Sequence, residues 1–130
     1  MKGRTTIDAA VKPLTAIKID PDARRVELIQ VEPDEVADEL RAGLTVTMDF
    51  APGNCLVIDD GSPTEDPPSR FHFKDDAVRR PYFGPVLVRG LVNGNWASTT
   101  LPVDGVRSGI AWEQWDPALK RYGEPALEPA

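Results

Sequence analysis

Arg70, His72 and Lys74 alternate with Phe71 and Phe73. If the chain is extended there, side chains alternate between faces, so three cations meet water together while two rings turn inward. Arg79, Arg80 and Arg89 follow soon after in the sequence. A guanidinium takes a carboxylate or phosphate through paired N–H groups, so this cationic face predicts docking of a protein or a small anionic ligand. The competing reading is that these cations pair with the chain's own acidic segments.

Catalytic patterns are sparse. His72 is the single histidine and Cys55 the single cysteine. Together they form a candidate nucleophile–base dyad only if the segments around 55 and 70–74 lie side by side. Cys55 sits between Asn54 and Leu56 with no adjacent cation in sequence to lower its pKa, the setting of an inert buried thiol. No HxxxH, HxH or CxxC spacing offers a metal site, and His72 with Asp75 and Asp76 reads more simply as a solvated turn. GxSxG, GxGxxG and GxxxxGK[ST] are also missing, so neither metal nor cofactor is expected. These residues leave enzyme activity open and lean against it.

Charge is distributed unevenly around a net value of −6. Residues 32–69 carry one Lys/Arg against ten Asp/Glu, and residues 70–90 carry five against two. The overall sign disfavours direct nucleic-acid binding, which needs cations to displace the phosphate counterions. It admits a different reading, an acidic nucleic-acid mimic that fills the groove of a DNA-binding protein. One unpaired cysteine rules out an internal disulfide scaffold, and no apolar run is long enough to span a bilayer. The N-terminal MKGRTTIDAAVKPL has no apolar stretch behind its basic residues, so no secretory leader is expected and the cytoplasm is the expected compartment.

The elements that must hold these residues read as three hairpins and one helix. Leu14–Asp20 and Val26–Val31 flank the turn Pro21-Asp22-Ala23-Arg24. Leu44–Phe50 alternates strictly and returns as Cys55–Asp59 after Ala51-Pro52-Gly53-Asn54. Pro85–Val92 turns at Asn93-Gly94-Asn95 and comes back as Trp96–Leu101. Between the first two pairs, Pro33 suits a first helical position, Asp34 and Glu35 suit the positive end of its dipole, and Gly43 suits a stop. The spacing predicts an amphipathic helix at about 33–42, laid on a sheet through Val36, Ala37 and Leu40. Residues 60–69 form an exposed acidic, proline-rich loop, and Val103–Ile110 is either a short helix or irregular. Tyr82, Phe83 and the tryptophans are expected mainly in the core. The expected fold is α+β, mostly antiparallel sheet, with an extension at 1–13, one domain at 14–115 and a tail at 116–130. Sheet edges make a homodimer conceivable.

Four stretches appear in a familiar order: Ile17-Lys18-Ile19-Asp20-Pro21, Leu40-Arg41-Ala42-Gly43, Pro67-Pro68-Ser69-Arg70 and Tyr82 to Gly90. This order resembles a small domain family of unknown function met in phage, plasmid and actinobacterial proteins, over residues 14 to about 100. The resemblance implies a bacterial or phage accessory protein and no particular reaction. The expected function is therefore a non-enzymatic binding module, with the acidic mimic and a small enzyme using His72 as its rivals.

Overall fold

The computed structural model describes residues 13–40, 44–59 and 68–124. Nearly all of the extension at 1–13, the helix stop at Gly43, most of the acidic loop at 60–69 and residues 125–130 of the tail lie outside the described residues.

Strands β1 (Leu14–Asp20) and β2 (Arg25–Val31) pair antiparallel from Leu14↔Val31 to Asp20↔Arg25. Asp20 makes the turn: its carboxylate accepts the amides of Asp22 and Ala23, as a side chain that mimics a backbone turn does. A 3-10 turn over Pro33–Glu35 then leads into α1 (Val36–Leu40). Helical structure thus covers the described part of 33–42, with its first turn tightened by the Glu35 amide donating to the Glu32 carbonyl (2.8 Å).

The remaining elements are β3 (Thr45–Ala51), β4 (Asn54–Asp59), β5 (Arg70–Phe73), β6 (Tyr82–Phe83), β7 (Val86–Val92), β8 (Asn95–Ala97), α2 (Val103–Ser108), β9 (Ile110–Asp116) and β10 (Arg121–Gly123). The fold is α+β, mostly antiparallel sheet with a short helix packed on it. The strands form two sheets where the sequence pointed to one. The first runs β2-β1-β7-β4-β3, with β8 continuing along β7, and the second runs β10-β9-β5-β6. Alternation within each strand cannot tell one wide sheet from two stacked ones, because both bury every second residue.

Stacking produces three layers. Ile17, Ile19, Leu56, Val86 and Val88 of the first sheet share a core with Phe71, Phe73, Tyr82 and Ile110 of the second. Phe71 is the hub, stacked on Tyr82 and edge-on to both Phe73 and Trp112. On the other face of the first sheet, Val36 and Leu40 of α1 cover Ala16, Val31, Val57 and Leu87. Lys18 and Glu39 tie the helix to β1 with a 3.1 Å ion pair. Among the described residues no helix is long and apolar enough to cross a membrane.

Two close contacts lock the chain after β8. Gly90 lies so near the crossing segment that a Cβ there would come 2.3 Å from the Ser98 carbonyl oxygen. Buried Asn54 donates to Pro52 O and Thr100 Oγ1, while its own oxygen accepts from the Thr99 hydroxyl and the Thr100 amide. Sheet structure also continues past residue 115 into the expected tail. Asp116 accepts the amides of Ala118 and Leu119, Lys120 takes a left-handed conformation (φ 54°), and β10 folds back on β9.

Candidate functional site

Strand β5 pleats as its sequence requires. Phe71 and Phe73 are buried, and Arg70 and His72 lie on the opposite, outer face of the second sheet. Pairing with β9 sets Arg70 beside Glu113 and His72 beside Ala111. Arg70 Nε donates to Glu113 Oε1 at 2.7 Å, and His72 Nδ1 lies 3.6 Å from the same oxygen, beyond hydrogen-bond range. The Arg70 guanidinium lies 3.7 Å from the Tyr122 ring centroid and 5.9 Å from that of Phe83. Tyr122 is held in turn, its hydroxyl donating to the Pro68 carbonyl (2.6 Å) and its ring meeting Trp115 edge-on.

The outer face therefore carries a guanidinium fixed by one carboxylate from the neighbouring strand and stacked on an aromatic ring. Only Nε of Arg70 is engaged; its Nη groups bond to none of the described residues. A planar, oriented guanidinium with spare donors is suited to a carboxylate or phosphate. The rings beside it supply apolar contact area at small entropic cost.

The other cations expected on this face are dispersed. Lys74 is exposed beyond the end of β5, where its amide donates to Gly109 O (2.8 Å). Arg79 and Arg80 are exposed on the 74–81 connection, which Asp76 organises by accepting the amides of Val78 and Arg80. Those N–H groups hold the Asp76 carboxyl below the usual carboxylate range. Arg89 is not on this face, which corrects the sequence expectation. It belongs to β7, whose alternation turns it to the helix side of the first sheet, where it is 5% exposed. There it stacks on Trp96 (3.8 Å) and donates Nη1 to Gly90 O, while its Nε has no partner among the described residues.

Cys55 is opposite Arg89 on that same buried face. Burial pushes its thiol up, against the pull of the Arg89 charge, with Asp49 adding to the rise. His72 and Cys55 therefore lie on different sheets and do not form the dyad, because β4 and β5 are never neighbours. Two cavities lined by described residues open elsewhere. One of about 360 Å³ is lined by Asp49 to Asn54 and Leu91, the other of about 290 Å³ by Phe50, Phe73, Leu101 and α2; His72 lines neither. Among the described residues no three His, Cys, Asp or Glu side chains gather into a metal-binding group.

Glu113, Tyr122, Trp115 and Phe83 were not legible as site residues. The signal for Glu113 and Trp115 was the alternation of Ile110–Asp116, which sends Ile110 and Trp112 inward and Glu113 and Trp115 outward, whereas Tyr122 joins them only through the pairing of β10 with β9. Comparison with family models, curated proteins and solved structures finds no match to this chain.

Proposed function

We propose that this protein is a non-enzymatic module that binds another protein through the outer face of its second sheet, with Arg70 at the centre. The observation that carries this reading is the Arg70 guanidinium, aligned by Glu113 and stacked on Tyr122 while its Nη donors stay free among the described residues. Arg, Tyr and Trp are the residue types that dominate binding energy at protein interfaces, and here they adjoin, half-buried, on one face. A partner carboxylate would complete the guanidinium fork. The scaffold is read as three hairpins, 14–31, 44–59 and 86–97, with the second sheet laid across them. The resemblance noted above would place the chain among bacterial or phage accessory proteins, and its single unpaired cysteine fits the cytoplasm.

The acidic-mimic reading has thinner support. Within 32–39, Glu35 caps its own helix and Glu39 is paired with Lys18, so these carboxylates do not form one free array. The enzymatic reading draws no support from the two cavities described above, neither of which His72 lines. The test is affinity capture with wild type, Arg70→Ala, Trp115→Ala and the remote control Leu28→Ala. The expected result is one partner retained by wild type and by the control and lost by the other two. A partner kept by Arg70→Ala contradicts the proposal. A small anion that shifts the Arg70 Nε resonance, with no protein captured, assigns the face to a small ligand instead.

A further inference from the structure

We propose that β3 is a dimerisation edge, through which two copies of this chain pair antiparallel about Thr47. An unpaired edge strand is a template for another strand, and proteins blunt such edges with charges, prolines, brevity or a covering group. The other edges here are blunted. Strands β6, β8 and β10 are only two or three residues long. Strand β2 exposes Arg25 and Glu27, and Arg107 Nη2 occupies the Val26 carbonyl at 2.7 Å. Strand β3 has seven residues with no Lys, Arg or Pro, and its one charge, Asp49, and its bulge both lie towards its C-terminal end, so Thr45–Met48 carry neither. It exposes Val46 (38%), and Leu44 (66%) directly precedes it. Among the described residues it pairs on one side only, with β4.

Self-complementarity makes a second copy the occupant. The register with β4 is regular from Thr45 to Asp49 and then breaks into a bulge before Ala51, so Thr47 is the centre of the regular stretch. A two-fold axis normal to the sheet at Thr47 sets Val46 against the partner's Met48 on the core side. On the helix side it sets Thr45 against the partner's Asp49, a hydroxyl against a carboxylate. Symmetry repeats both pairs, and no like charges oppose each other. A strand of unrelated sequence would gain the backbone bonds without this match. The dimer would present two outer faces of the second sheet, so partner binding would be bivalent.

Sedimentation equilibrium of the full chain tests the proposal, alongside Thr47→Cys and Leu28→Cys under mild oxidation. Directly opposed residues in an antiparallel pair have Cα atoms about 4.5–5.5 Å apart, inside the roughly 4.4–6.8 Å range of a disulfide. Thr47→Cys is expected to give a disulfide-linked dimer rapidly, and Leu28→Cys is not. Val46→Lys, at an exposed position that leaves the fold intact by circular dichroism, should raise the dimer Kd about tenfold. A monomeric wild type, equal cross-linking at positions 28 and 47, or an unchanged Kd in folded Val46→Lys would each overturn it.

Discussion

Removing Glu113 should release Arg70, and the size of the effect follows from the geometry. The Nε–Oε1 distance is 2.7 Å, and the two side chains are 25% and 20% exposed. Coulomb attraction at that distance is about 6 kcal/mol at an effective dielectric near 20 and about 1.5 kcal/mol at that of water. Desolvation and the ordering of two long side chains offset most of this, which leaves a net coupling of about 1–2 kcal/mol, above an exposed ion pair and at the lower end for a charge-assisted bond. Urea unfolding of wild type, Arg70→Ala, Glu113→Gln and the double variant measures that coupling directly. The cycle is best run in a His72→Asn background, because the imidazole lies 3.6 Å from the same carboxylate oxygen. Salt at about 1 M should trim the coupling rather than abolish it, since both groups are largely shielded. A coupling below about 0.3 kcal/mol would show that Glu113 does not hold the guanidinium, and the aligned anchor would be lost from the account.

Gly90→Ala should cost about 2–3 kcal/mol in the same assay, because its Cβ would press on backbone that Asn54 and Thr99 pin in place; a neutral result would mean that the crossing segment yields. Arg89→Met should leave stability unchanged or raise it by about 1 kcal/mol, since a buried charge without a carboxylate partner among the described residues gives way to an apolar stem. A loss above about 2 kcal/mol would show that the stacking on Trp96 and the bond to Gly90 O outweigh the cost of burying the charge. Asp76 has a folded pKa below its ordinary 3.8, so its contribution to the 74–81 connection is complete above that value and is lost as pH falls through the folded pKa. The Val78 and Arg80 amides should therefore keep their resonance positions until the pH drops below 3.8; a transition centred above that value would contradict the assigned hydrogen bonds.

Local pattern carried the sequence reading a long way, and its failures share a cause. The pleat at 70–74 was legible because its alternation of rings and cations has one extended solution, and the Asn93-Gly94 turn because both residues need positive φ. The division into two sheets was not legible, since Phe71 and Val88 alternate in the same way whether they meet across a core or along one face. Arg89 was misplaced for the same reason: sequence proximity to Arg80 says nothing about which sheet the next strand joins. Glu113 and Tyr122 became site residues only through register, β9 against β5 and β10 against β9. The stretch after Asp116 looked like a tail because it carries three prolines and scattered alanines, and its strand is only three residues long. Its turn depends on one aspartate side chain.

Site-specific photo-cross-linking in cells tests the central claim most directly, with a benzoylphenylalanine at position 115 on the outer face and, as control, at position 28 on β2. The account requires one discrete protein adduct from position 115, none from position 28, and loss of that adduct on adding Arg70→Ala. An adduct that survives Arg70→Ala unchanged, or one that forms from position 28 and not from 115, would contradict it.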